Sequence, residues 1–353
     1  MNRKIIGIET SCDETAIAII DEKKNILSNL VTSQIDIHKE FGGVVPEIAA
    51  RNHAITIDKL IKKSLEESKL TFQDLDAVAV TAGPGLIGGV IVGVMAGKML
   101  SSIHKKPIIA VNHLEAHALT IRLTSNVKFP YLLLLVSGGH CQVLLTKGVG
   151  DYKKLGETID DALGEAFDKV AQMLGLEYPG GPKIEQLAAN GNENKYNFPK
   201  PLQNSKDNKH NFSFSGLKTA VRRKIEKIIG ENYQKNCHHK LSSQEKSDIA
   251  ASFQKVVAEN IIDRLKNILE DYNLNLEHLI IAGGVAANQY LFNKISNFME
   301  KYNLTTLSPP ISLCTDNGAM IAWAGMERLK LGMIDQLNFK PRARWQLNQL
   351  KNE

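Results

Sequence analysis

The chain has 353 residues, 43% hydrophobic and 23% charged, with a formal net charge of +5. That length allows two ordinary domains with a substantial core, and the composition is that of a globular protein rather than a disordered or fibrous one. The mild positive charge permits a nucleic-acid partner without demanding one, and aromatic residues at 6% are too few for a surface that stacks many bases.

The four cysteines, Cys12, Cys141, Cys237 and Cys314, lie far apart, which argues against a disulfide framework or a cysteine zinc site. No run reaches the ~20 apolar residues of a membrane helix. The N-terminus reads as a strand, not a signal peptide, so a cytoplasmic, reducing location away from membranes is expected.

In chain order, Lys4 to Glu9 predicts a strand, Thr10 to Glu14 a polar turn, and Thr15 to Ile20 a second strand, together a hairpin. Ala77 to Ala82 is a further strand, ending in the turn Gly83-Pro84-Gly85-Leu86. A small-residue helix, Val90 to Ile103, follows and suits close packing on a sheet. The hairpin figure returns at Tyr131 to Val136, Ser137-Gly138-Gly139-His140 and Cys141 to Thr146, and a third glycine turn lies at Leu279 to Asn288, where an apolar strand runs into Gly283-Gly284 and then a helix.

Residues 192 to 211 and 231 to 247 read as polar surface excursions, and the basic tail Lys340 to Trp345 as poorly ordered at its end. The fold class is α/β: two duplicated mixed-sheet lobes around a nucleotide cleft, the arrangement of the actin-like ATPases (the ASKHA class). The expected division is 1–110 for the first lobe, completed by a C-terminal helix at about 317–335. Residues 111–316 form a second lobe with the metal and substrate site, and 336–353 a basic tail.

Several segments carry chemistry, each beside a plainer reading. His113 and His117, four apart on a helix, suit a metal pair or two surface histidines. The zincin pattern is missing, because Leu114 stands where its glutamate belongs, and Glu115 faces away from the pair. Asp316, before the last helix, reads first as an N-cap and second as a third ligand. The turn Ser137–His140 is a plain hairpin tip or a cradle whose backbone N–H groups meet an anion. Asp13 and Glu14 are solvated acids or hold a metal–phosphate or a nucleophile. Asp161, Glu165 and Asp168 share one predicted helix face. The segment Phe212 to Lys218 with Arg222, Arg223 and Lys224 is a loop entering a basic helix, or an RNA contact.

Taken jointly, these segments resemble one family, TsaD, the tRNA threonylcarbamoyladenosine transferases. The matching stretches are Gly7 to Thr15, Gly42 to Arg51, Gly83 to Leu86, Asn112 to His117, Leu135 to His140, Gly164 to Lys169, Tyr178 to Pro182, Phe212 to Lys218, Gly283 to Asn288 and Thr315 to Gly318. They stand in family order from residue 5 to about 330.

The resemblance implies transfer of a threonylcarbamoyl group from threonylcarbamoyl-AMP to N6 of adenosine 37, in tRNAs reading codons that begin with A. It implies one divalent metal ion per subunit, iron before zinc, on His113, His117 and Asp316. It implies substrate contacts at Val136, Ser137, Gly138, Gly139, His140, Asp168, Gly181 and Asn288. Glu185 stands where bacterial members often carry a substrate-binding Asp. Asp13 and Glu14 are the catalytic candidates, and TsaB-like and TsaE-like proteins the expected partners with tRNA. The rival readings are a metallopeptidase, a non-catalytic ATP-binding scaffold and a carbamoyltransferase for a small molecule.

Overall fold

The computed structural model describes every residue except Met1, Gly42, Asn204, Lys235, Asn236 and Glu353. Gly42 of the stretch Gly42 to Arg51, Asn204 of the first polar excursion, and Lys235 and Asn236 of the second therefore lie outside the described residues. Two compact units emerge. Unit 1 holds Met1–Phe129, Thr146–Tyr152 and Pro309–Glu353; unit 2 holds Pro130–Leu145 and Lys153–Ser308.

Unit 1 opens with β1 (Lys4–Glu9), β2 (Glu14–Asp21) and β3 (Ile26–Ser33), then α1 (Ile35–Lys39), α2 (Pro46–Ser68), β4 (Ala77–Gly83), α3 (Ile87–His104), β5 (Ile108–Asn112) and α4 (His113–Thr124). Unit 2 takes β6 (Tyr131–Val136), β7 (Cys141–Gly148), β8 (Asp151–Glu157), α5 (Leu163–Met173), α6 (Gly180–Ala188), α7 (Ser215–Ile229), α8 (Ser243–Tyr272), β9 (His278–Ala282), α9 (Gln289–Met299) and β10 (Thr305–Leu307). The turn joining β7 to β8 groups with unit 1. The chain closes in unit 1 with α10 (Ile311–Cys314) and α11 (Gly318–Lys330).

The duplication read from the hairpins is present in the sheets. One runs β3-β2-β1-β4-β5 and the other β8-β7-β6-β9-β10, the same order with β1 answering to β6 and β4 to β9. β1 pairs antiparallel with β2 and parallel with β4, and β6 pairs parallel with β9. Central strands buried on both faces need continuous apolar runs, which Ile5, Ile6 and Ile8 in β1 and Tyr131 to Val136 in β6 supply.

α11 lies directly on the sheet of unit 1. A side chain at Gly7 would meet the Ala322 nitrogen and the Gly318 carbonyl oxygen, each 2.4 Å from its Cβ. Trp323, Met320 and Met326 of α11 join Leu119 and Leu123 of α4 and Val111 of β5 in one core. This packing sets the Asp316 end of α11 beside α4.

The fold differs from the sequence reading at the domain boundary, the last helix, the tail and the first polar excursion. The boundary falls after Phe129 rather than at 110, because the apolar face of α4 is part of the unit 1 core; both metal-candidate histidines therefore sit in unit 1. α11 begins at Gly318 and stops at Lys330, before Gly332 turns into left-handed backbone at φ 72°. The tail is packed down, with Trp345, Leu347 and Leu350 buried. Residues 192–203 and 205–211 run along α8: the Asn192 and Tyr196 amides donate to Asp248 and Ser252 at 2.8 and 3.1 Å, and Arg264 donates to the Lys209 carbonyl at 3.0 Å.

Candidate metal centre and substrate-binding turn

α4 starts where Asn112 caps it. The Asn112 Oδ1 accepts from the amides of Leu114 at 2.9 Å and Glu115 at 3.3 Å. His113 and His117 then share a face by helical period, both buried, with ring centroids 4.8 Å apart. The predicted N-cap role of Asp316 falls instead to Asn317, whose side chain accepts from the Met320 amide at 3.0 Å. The Asp316 carboxylate turns to the histidines: its Oδ1 is 3.5 Å from His113 Nε2 and 3.1 Å from His117 Nε2. A metal with bonds of about 2.0–2.2 Å places tetrahedral ligand atoms roughly 3.3 Å apart. The two nitrogen–carboxylate distances are near that value and all three ligand atoms lie within 4.8 Å of one another, a set of donors that suits such an ion.

Behind the ligands stands Glu9, fully buried at the end of β1. Its Oε2 is 3.0 Å from His113 Nδ1 and accepts from the Thr81 hydroxyl, while Oε1 accepts from the Ser11 amide. A carboxylate on Nδ1 fixes the ring tautomer and leaves Nε2 as the ligating atom. Sequence reasoning gave Glu9 no role. The signal was one charged residue closing a strand that is otherwise apolar.

In the metal-free protein, burial would lower the His113 pKa, but Asp316 and Glu9 together outweigh it and push it up to about 9. That contribution to stability is complete below pH 6.5 and is lost as pH rises through about 9. Metal displaces the same proton, so Zn²⁺ affinity should climb about tenfold per pH unit between about pH 7 and 9. Chelator competition across that range checks it; a flat profile refutes it.

The turn Ser11–Asp13 is held from two sides. The Leu86 amide donates to the Ser11 carbonyl at 2.7 Å, and His53 of α2 reaches the Cys12 carbonyl with Nε2 at 3.0 Å and the Thr15 hydroxyl with Nδ1 at 2.8 Å. Asp13 is buried, and Glu14 is the first residue of β2 rather than part of the turn. Burial, then the charges of Asp316 and Asp13, push the Glu14 pKa up to about 10. Glu14 thus keeps its proton at neutral pH in the metal-free chain.

In unit 2, the Ser137 amide donates to the His140 carbonyl at 2.8 Å and the His140 amide to Ser137 Oγ at 3.1 Å, closing the turn. A Cβ on Gly138 or Gly139 would meet nothing within 4 Å, so this backbone is open to a ligand. Gly164 at the head of α5 abuts Gly138, Gly283 abuts the Val136 carbonyl, and Asp168 accepts from the Gly180 amide at 2.7 Å. Burial raises the Asp168 pKa.

Asn288 caps α9 and donates to Gln254 at 2.9 Å. The Glu185 carboxylate accepts from the Gln289 and Tyr290 amides at 2.7 and 3.2 Å, so it too is spent on the head of α9. A cavity of about 330 Å³ opens beside Glu185, lined also by Gly191, Glu193, Gln254 and Tyr290.

The predicted acidic stack does not form, because Asp161 precedes α5, and it pairs with Lys218. Lys218 is therefore engaged, whereas Arg222 and Arg223 on α7 are exposed. Asp160, which sequence reasoning overlooked, accepts from the Ser213 and Ser215 hydroxyls and the Phe214 amide, and so clamps the segment leading into α7.

Duplicated mixed sheets and a His-His-Asp cluster define a metal-binding protein of the actin-like ATPase fold class. Solved structures agree on the fold. Full-length HypF in a phosphate- and nucleotide-bound form matches with TM-score 0.59 at 14% identity, over 93% of this chain and 46% of that one. Component A of the (R)-2-hydroxyglutaryl-CoA dehydratase of Acidaminococcus fermentans matches with TM-score 0.54 at 13% identity, over 93% of this chain and 99% of that one.

The family model described as "TsaD: tRNA N6-adenosine threonylcarbamoyltransferase" matches residues 25–323. Proteins bearing that enzyme name are 51% identical in Rickettsia rickettsii, covering 99% of each chain, and 51% identical in Paramagnetospirillum magneticum, covering 98% of this chain and 97% of that one. The chain belongs to the TsaD family and is an acyltransferase of tRNA modification.

Proposed function

We propose that the chain transfers the threonylcarbamoyl group of threonylcarbamoyl-AMP to N6 of adenosine 37 in tRNAs reading codons that begin with A, with the following division of labour. The observation that carries it, beside the family, is the His113–His117–Asp316 cluster backed by Glu9. These three side chains hold one divalent ion, iron before zinc, which supplies Lewis-acid polarisation of the donor's oxygens. The open amides of the Ser137–His140 turn, with Val136, Asp168, Gly181 and Asn288, take the adenylate end. Glu185 serves that end by fixing α9.

The N6 nitrogen attacks the carbonyl carbon, the bond to the phosphate oxygen breaks, and AMP leaves with the electron pair. The N6 proton passes to Asp13 or Glu14, the acids at the entry to β2, with Asp13 assigned first. An Asp13→Asn chain with full turnover would remove that assignment. The chain is assigned to the cytoplasm.

Incubation of an unmodified tRNA with the donor-forming enzyme, threonine, bicarbonate, ATP, TsaB-like and TsaE-like partners and this chain should yield threonylcarbamoyladenosine by mass analysis. Its absence, where an active family member succeeds, rejects the reading at its acceptor.

For the TsaB-like partner we assign α3. Ile87, Ile91, Met95, Met99 and Ile103 recur every four residues and are between 43% (Ile91) and 65% (Ile103) exposed, while the opposite face packs inward through Gly89, Gly93 and Gly97. α3 is long and apolar enough to cross a membrane, the one such helix among the described residues, and both faces make it so: the exposed Ile and Met row and the buried Val90, Val94 and Leu100. A Met95→Glu/Met99→Lys chain should bind the TsaB-like partner roughly 30-fold more weakly or worse and keep its metal affinity. Unchanged binding in titration calorimetry would move the interface elsewhere. Exposed Arg222 and Arg223 are assigned to tRNA phosphates.

A further inference from the structure

The parallel strands β4 and β5 both end at the metal centre. β4 runs into Gly83–Leu86 and β5 into Asn112–His113. Across these two ends lies the C-terminal segment. The Arg342 amide donates to the Ala82 carbonyl at 2.7 Å, and the Gly85 amide donates to the Ala343 carbonyl at 3.2 Å. Asn112 donates through Nδ2 to the Trp345 carbonyl at 3.0 Å. The segment is anchored further along by the buried Trp345 and Leu347.

Both strand ends lead to His113. On one side, Gly85 precedes Leu86, whose amide holds the Ser11 carbonyl; the Ser11 hydroxyl in turn lies 3.1 Å from His113 Nδ1. A Cβ at Gly85 would meet the Ser11 carbonyl oxygen at 2.6 Å, so the two turns are pressed together. On the other side, the Asn112 amide group bonded to Trp345 leaves Oδ1 aimed at the first turn of α4, which carries both histidines.

We infer that residues 342–345 are a positioning strap for the metal centre, holding the loops that orient His113 through the Arg342 amide and the Trp345 carbonyl. The inference rests on the metal reading above. Partners that orient a ligand change metal affinity roughly 10–100-fold when removed.

The test removes two of the three strap bonds, one at a time, in the full chain. Arg342→Pro deletes the amide hydrogen given to Ala82, and Arg342→Ala keeps it while removing the side chain. Asn112→Ser keeps a helix-capping oxygen but loses the donor to Trp345. Zn²⁺ affinity by chelator competition and the visible spectrum of the Co²⁺ form are read beside circular dichroism.

Arg342→Pro and Asn112→Ser should each weaken Zn²⁺ binding roughly tenfold and alter the Co²⁺ bands, with Arg342→Ala close to the parent. If Arg342→Pro fails to fold, Asn112→Ser decides alone. Parent affinity in Asn112→Ser, and in Arg342→Pro where it folds, overturns the strap. A His117→Ala control separates the two levels. If it loses metal and the strap variants do not, only the strap is wrong; if it also keeps parent affinity, the metal centre is wrong.

Discussion

His117→Ala should purify with little or no bound metal and should transfer threonylcarbamoyl at roughly 10³-fold lower rate than the parent. His117 is only 2% exposed, and its Nε2 is 3.1 Å from the Asp316 carboxylate, so its removal leaves two ligand groups where the cluster has three. Apart from His113, already a ligand candidate, no histidine among the described residues stands in such a cluster to replace it. Metal content by mass spectrometry and a single-turnover assay with preformed threonylcarbamoyl-AMP check the two halves separately. Fold damage is controlled by Asp316→Asn, which keeps the shape and weakens the ligand. A metal-free His117→Ala chain at full rate would take the ion out of the reaction. Retained metal would take His117 out of the ion's shell.

What the sequence showed and what it hid divide along physical lines. Features set by local pattern were legible. The apolar run Tyr131 to Val136 became β6 to the residue, and the polar-turned hairpin of Lys4 to Ile20 became β1 and β2. The spacing of His113 and His117 put both on one helical face. Features set by long-range packing were not. Asp316 and Asn317 both suit a helix N-cap by composition, and only the docking of α11 against α4 decides which one caps and which faces the histidines.

The domain boundary was misplaced for a related reason. β5 and α4 are followed by a turn and then the second hairpin, and nothing local says which core takes Leu119 and Leu123. Glu9, Asp160 and the tail share that blindness. Each acts through partners 50 or more residues away in the chain: His113 for Glu9, Ser213 for Asp160, and Asn112 for Trp345. A charged strand end, an acid before a helix or a basic tail reads as solvated until those partners are known.

Glu115→Ala should cost on the order of 5 kcal/mol and lower the unfolding temperature by roughly 10 °C or more. Glu115, whose own amide Asn112 caps, is fully buried on α4 on the side away from the histidines. Its Oε2 accepts from Arg328 at 2.9 Å, and its Oε1 accepts from the Gly150 amide at 2.8 Å and the Tyr152 hydroxyl at 3.1 Å. Removing it leaves a buried guanidinium without its counter-charge, which alone costs about 3–5 kcal/mol, and orphans two further donors.

Glu115→Gln keeps the oxygen for Gly150 and should lose about half as much. A Glu115→Leu/Arg328→Met pair should recover most of the loss, because both charges then leave the interior together. Thermal unfolding of the set supplies the cycle. The same residue decides against the metallopeptidase reading, which needs a glutamate beside the histidine pair to activate water. A hydrolytic Glu115 would leave stability unchanged on substitution and abolish peptide cleavage, whereas a carboxylate locked to Arg328, Gly150 and Tyr152 has no lone pair turned toward the ligands. An unfolding temperature within about 2 °C of the parent for Glu115→Ala would show that the buried pair does not hold α4 to α11, and the physical case against a hydrolytic role would go with it.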